Sequence, residues 1–305
     1  MYNKILVPLD GSNVAECVLP HVEALATSNN PSTITFLYAV QPLEVIMTKP
    51  AFRDHIESEA KSAASAYLEN LVSTVKYREM ANVKVIIGKA ADTIIDYAKK
   101  NKMDLIVMAT HGLSGVKRWI RGSVAEKVLH ESKVPIWLIR AGTHKKGFPE
   151  KGNKISMLVL LDGSSLAEKV LKHVKKLSNH FGGQSVNITL LRVCEIFFPP
   201  YTYPPPTPMT WEEYLEYETK RCQGICQTYL DKIGEKLQKE GLSIKTEIAT
   251  GSVAETIVDY TNKNEFDIVI MATHGRTGLS KWALGSVADK VLTGISNPIF
   301  LVRST

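Results

Sequence analysis

Apolar positions along this chain follow two spacings, and the succession of spacings runs through once and then starts again. Short unbroken apolar runs read as strands buried on both faces of a parallel sheet. Between them, apolar residues recur at helical spacing. Residues 4–7 predict a first strand, ended by Pro8-Leu9-Asp10-Gly11-Ser12, and residues 14–27 a helix. A second strand over 33–40 is followed by a long Ala- and Glu-rich helix over about 53–77. Residues 83–87 predict a third strand stopped by Gly88, and 91–100 a helix. The run Leu105-Ile106-Val107-Met108 is a fourth strand, and residues 134–139 a fifth. The second half repeats the order, with strands at 157–161, 186–193, 244–248, from Ile268, and at 298–302.

Alternating strands and helices with short connections specify an α/β fold of βαβ units. The expectation is two tandem doubly wound domains, each a five-stranded parallel sheet flanked by helices. Right-handed crossovers give the strand order 3-2-1-4-5. Domain boundaries fall at 1–143 and 155–305, with the charged, Gly- and Pro-containing stretch 144–154 as linker. A length of 305 residues accommodates two ordinary domains.

The most informative stretch follows the fourth strand in each half. The sequences are MDLIVMATHGLSGVKRWIRGSVAEKV and FDIVIMATHGRTGLSKWALGSVADKV. Each has a loop with two glycines (Gly112 and Gly115; Gly275 and Gly278), then Gly122-Ser123 or Gly285-Ser286 opening a helix. Ser123 with Glu126, and Ser286 with Asp289, have capping-box spacing. Helix-start amides beside glycines can hold a phosphate. Capping alone accounts for the serines; it leaves the loop glycines unexplained. In a doubly wound sheet the ligand crevice lies at the carboxyl ends of the strands where their order reverses, here between strands one and four. Asp10 and Asp162 end strand one, suited to accept hydrogen bonds from a nucleotide or from their own turn. His111 and His274 read as hydrogen-bonding wall residues.

Composition narrows the classes. A charge of +6 spread over helix surfaces, without a basic stripe carrying aromatics, argues against nucleic acid. The absence of a run of about 18 apolar residues argues against a membrane span, and the cytoplasm is the expected location. Four cysteines fit a reducing compartment. Cys17 and Cys194 read as small core residues, while Cys222 and Cys226 share one helix face, with no further His or Cys ligand nearby in sequence. The segment from 197 to 208 is rich in proline and aromatics, and reads as a stiff crossover or a lid. Thr210 and Glu213 then offer a capping box. No Gly-x-Gly-x-x-Gly, Walker or Gly-x-Ser-x-Gly motif is present.

On these residues the chain resembles the universal stress protein family in its tandem form. The family's nucleotide motif is Gly, two residues, Gly, nine residues, Gly, then Ser or Thr. Here it reads Ala109-Thr110-His111-Gly112, nine residues, Gly122-Ser123, and then Ala272-Thr273-His274-Gly275, nine residues, Gly285-Ser286. Only the first Gly departs, to Ala in both halves. The opening ILVPLDGS is similar to the family's first strand. The resemblance implies an adenine nucleotide, ATP or AMP with or without Mg²⁺. Asp10 and Asp162 would meet the adenine end, with Pro8, Leu9 and Leu161 beside them. Val40 and Val193 would line the base pocket, and Val124 and Val287 would follow the phosphate-side serines. Leu160 stands where half one has Pro8, so the first loop of half two is expected to sit differently. It also implies a stress-response regulatory role, with no settled reaction and at most weak ATP hydrolysis. A nucleotide sensor, a slow ATPase and a nucleotide-free interaction module remain open. The halves are expected to pair through their fifth strands, leaving any homodimer to another surface.

Overall fold

The computed structural model describes residues 2–28, 31–43, 50–110, 123–141, 148–149, 153–196, 210–273 and 284–303. In half one the elements are β1 (Lys4–Leu9), α1 (Leu19–Ala26), β2 (Thr33–Val40), α2 (Pro50–Thr74), β3 (Ala81–Ile87), α3 (Ala90–Lys100), β4 (Leu105–Ala109), α4 (Ser123–Glu131) and β5 (Ile136–Ile139). Half two contributes β6 (Ile155–Leu160), α5 (Ser165–Glu168), α6 (Leu171–His180), β7 (Val186–Cys194), α7 (Trp211–Lys239), β8 (Ser243–Thr250), α8 (Val253–Lys263), β9 (Ile268–Ala272), α9 (Ser286–Gly294) and β10 (Ile299–Val302). The expected order 3-2-1-4-5 is found in each half.

All described strands belong to one ten-stranded sheet, in the order β3-β2-β1-β4-β5-β10-β9-β6-β7-β8. Pairing is parallel within each half. Where the halves meet, β5 and β10 run antiparallel, with Phe300 opposite Trp137. Side chains alternate between the faces, as a pleated strand requires. Ile5, Val7 and Leu9 join one core with Leu68 of α2 and Leu230 of α7. Leu6 joins the other, with Ile94 of α3 and Val291 of α9. Each core draws residues from both halves.

The helix expected over 14–27 is broken in two: a 3₁₀ turn at Ala15–Val18 precedes α1. Pro20 lies in the first turn of α1, where its missing N–H is harmless. The same break separates α5 from α6 in half two without a proline. Pro20 is therefore accommodated by the break, not its cause.

The stretch read as a polar linker supplies a core residue. Phe148 is buried against Trp137, Phe181 and His21, with ring centroids 5.3, 5.6 and 5.1 Å away. On the other side of the seam, Tyr2 of half one packs on Phe300 and hydrogen-bonds His173 Nδ1 at 2.7 Å. Ser28 Oγ meets His180 Nε2 at 2.8 Å. Apolar surface and paired polar groups both cross the seam.

Burial, with Lys172 and Lys176 adding repulsion, pushes His173 down to about 4. An unfolded chain binds this proton near pH 6.5, so between 6.5 and about 4 it takes up a proton that the folded chain refuses. Stability from His173 is therefore complete above pH 6.5 and lost as the pH falls. At pH 5, still about a unit above the folded value, the loss amounts to ~2 kcal/mol. Urea midpoints at pH 7 and 5 should differ less in His173→Gln than in the wild type; equal differences would remove His173 as the cause.

Candidate functional site

The crevice is created by strands that part early. The β1–β2 ladder runs from Lys4 to Leu9, whereas β1 pairs β4 only at Ile5 and Leu6. In half two, β6 pairs β7 from Ile155 to Leu160, but pairs β9 only from Met157 to Val159. Both halves of the sheet therefore open towards their carboxyl edge between the central pair, at the reversal of strand order. Asp10 and Asp162 stand on one lip of the opening. Ala109-Thr110 and Ala272-Thr273 stand on the other.

Each aspartate is at least partly engaged by its own turn. Ser12 donates to Asp10 Oδ1 from its amide at 3.1 Å and its hydroxyl at 2.6 Å; the Ser164 amide donates to Asp162 Oδ1 at 2.8 Å. Gly11 and Gly163 sit at φ +82° and +87°, a region favouring glycine, so Asp-Gly-Ser is a built turn. Pro8 keeps the strand register, opposite Leu37, just as Leu160 stands opposite Leu191. The two first strands thus match despite the proline.

Thr110 and Thr273 are buried, and their amides are held by Ile139 and Val302 carbonyls at 2.9 and 3.0 Å. The Thr273 carbonyl accepts the Gly285 amide at 2.9 Å, and the Asp289 amide donates to the Gly285 carbonyl at 2.9 Å. Gly285 is therefore the N-cap of α9, and Ser286 its first helical residue. The expected capping box at Ser286 does not form: one position too far into the helix, the serine leaves the cap to glycine. In half one the described part of α4 starts at Ser123. With Gly285 N–H taken, the Ser286, Val287 and Ala288 amides of the first turn are those without an intrahelical partner. Ser286 is exposed and Val287 half-buried, as are Ser123 and Val124. His111, Gly112, Gly115 and Gly122, with His274, Gly275 and Gly278, lie outside the described residues. So does the proline-rich run from 197 to 208. The Thr210–Glu213 capping box is formed.

Beside each aspartate stands a group of side chains that sequence reasoning passed over. Tyr38 donates to the Asp10 carbonyl at 3.2 Å, and Tyr67 of α2 to Glu16 at 2.8 Å. Burial and Glu16 raise Tyr67 above the usual tyrosine range. Tyr229 of α7 stands near Glu168 in the same way and is raised by burial and then by Glu168, although its buried hydroxyl has no partner at hydrogen-bond geometry. Tyr38, however, is replaced. Arg192 holds its place, with its guanidinium 4.8 Å from the Tyr229 ring centroid and against Gly163, where an added Cβ would meet it at 2.9 Å. Arg192 Nε is buried without a hydrogen-bond partner. The signal was one substitution between matched strands, Tyr to Arg. It is legible only once the register is known.

The same register moves one expectation. Ile5 and Met157, each five residues before its aspartate, pair with Ile34 and Ile188. Counting on, Val40 corresponds to Cys194, and Val193 to Ala39. Val40 is buried and Val193 half-buried.

The profile of the universal stress protein family matches residues 1–140 and 156–303. The chain belongs to the universal stress protein family. A universal stress protein of Methanocaldococcus jannaschii is 29% identical over 147 residues, spanning 48% of this chain and 81% of its own. One from Mycolicibacterium smegmatis is 22% identical over 310 residues, 98% of this chain and 96% of its own. The crystal structure of a universal stress protein from Archaeoglobus fulgidus has a TM-score of 0.65 at 20% identity, covering 99% of this chain and 96% of that one. Universal stress protein architecture thus extends along the whole chain. Among the described residues no helix is long and apolar enough to cross a membrane.

Proposed function

We propose that this universal stress protein is a cytoplasmic regulator that binds an adenine nucleotide, ATP or AMP, in each half. The observation that carries the reading is the doubled crevice. In both halves an Asp-Gly-Ser turn and a helix start flank the point where the central strands part. A carboxylate accepts about four hydrogen bonds, so each aspartate can serve its turn and a ligand together. The first-turn amides of α4 and α9 suit a phosphate. Mg²⁺ would enter with the nucleotide. The halves, 1–143 and 155–305, would act as an intramolecular pair through β5 and β10, supported by the cores they share.

Calorimetric titration with ATP and with AMP should give two equivalents per chain. Asp10→Asn keeps an acceptor for the turn while removing the charge, and should weaken one equivalent tenfold or more, from the ~1.5–3 kcal/mol of a hydrogen bond to a charged group. Asp10→Asn with Asp162→Asn should weaken both. Two-site binding unchanged in the double variant would overturn the assignment, and no binding by the wild type would leave a nucleotide-free module.

A further inference from the structure

Half two carries three cysteines that meet in space, and half one shows what the same place looks like without them. Cys194 ends β7; Cys222 and Cys226 lie one turn apart on α7. One ligand atom from each places all three sulfurs within 4.8 Å of one another. Cys194 and Cys226 are buried and Cys222 half-buried. Cys194 and Cys222 are joined as a disulfide, leaving Cys226 as a free thiol. The sequence reading treated Cys194 as an isolated core residue and found no third ligand for the helical pair. The strand supplies it from 28 residues upstream.

Register identifies the counterparts. Val40 corresponds to Cys194. Tyr67 and Tyr229 match through their shared glutamate neighbours, and the fully buried Leu68 and Leu230 follow them. Seven and three residues before each tyrosine stand Ala60 and Ala64 in half one, Cys222 and Cys226 in half two. Val, Ala and Ala hold the matching positions on strand and helix in half one. Packing there does not require sulfur.

We propose that Cys194, Cys222 and Cys226, when reduced, form a thiolate site for a thiophilic d¹⁰ cation, zinc or cuprous copper. Two sulfurs suffice for a crosslink; a third, buried and converging on the same point, is what a metal uses. Zinc–sulfur bonds of about 2.3 Å separate ligand sulfurs by about 3.8 Å, close to the present spacing once the disulfide opens. Thiolates select soft cations over magnesium or calcium. Among the described residues no fourth His, Cys or carboxylate joins the group. Cuprous copper would be three-coordinate, and zinc would take one exogenous ligand. Arg192, two residues before Cys194 in β7 and so on the same strand face, brings a positive charge towards the thiolates.

The disulfide is the oxidised form of this site. A dithiol reductant gives two electrons and two protons to the Cys194–Cys222 bond, making two thiols and becoming a disulfide itself. Metal binding then releases the thiol protons it displaces.

The test uses the full chain, reduced with a phosphine that is then removed under anaerobic conditions. Zinc is titrated against a chromophoric chelator, and cuprous ion is delivered from its bicinchoninate complex. The wild type should take one equivalent of at least one of these cations, and the arm that fills identifies it. Cys226→Ala should bind roughly a hundredfold more weakly, since two thiolates remain. Cys194→Val with Cys222→Ala and Cys226→Ala recreates half one, so its circular dichroism should match wild type while its tight equivalent is gone. Failure of the reduced wild type to take either cation, or Cys226→Ala binding as tightly as wild type, would overturn the site.

Discussion

Gly122→Val together with Gly285→Val should abolish nucleotide binding in both halves, by more than about a hundredfold, while leaving the fold intact. Gly285 has φ −59° and ψ 147°, which any L-residue adopts, so a side chain there adds no backbone strain. Its amide and carbonyl keep their bonds to Thr273 and Asp289. A branched side chain at the N-cap instead fills the space over the first-turn amides, where an anion would approach. Gly122 holds the same place in the repeat. Calorimetric titration checks binding and circular dichroism checks the fold. An unchanged ATP isotherm would exclude these helix starts as the phosphate site.

Trp137→Asp with Phe300→Asp should part the two halves. Both side chains are fully buried, directly opposite across the antiparallel seam, and in ring contact at 6.4 Å. Truncating such an aromatic to alanine costs ~3–5 kcal/mol, and a buried carboxylate costs more. The loss falls on an interface that also holds Phe148, Tyr2 and His173, so the halves should swing apart about the linker. Small-angle scattering should show a longer particle for the double variant. The wild type, whose cores cross the seam, should melt in one transition and the variant in two. The same compact shape in both proteins would show that this contact is not the seam.

Much of the architecture was legible because strands buried on both faces are written as apolar runs. Leu105–Ala109 and Ile268–Ala272 could hardly be anything else in a βαβ succession. Strand order followed from handedness alone. What escaped depends on contacts between residues distant in sequence. Phe148 looks like linker because its neighbours are Lys, Gly and Pro, and only the facing Trp137 and Phe181 make it core. The sulfur cluster is invisible until β7 and α7 are packed. Element ends also misled, since helix and strand limits shift by a residue at small energetic cost. That one residue moved the cap from Ser286 to Gly285, and extended β7 from Val193 to Cys194.

The antiparallel junction of β5 with β10 turns the two half-sheets head to tail. Their carboxyl edges face opposite directions, so the two candidate crevices open on opposite rims of a single sheet. In an assembly of identical chains, every substitution would appear on both rims at once. Here each rim is encoded separately, and the chain has used that freedom: tyrosine faces arginine across the pseudo-dyad at 38 and 192, and valine faces cysteine at 40 and 194. Fusion lets one rim change its chemistry while the other keeps its own.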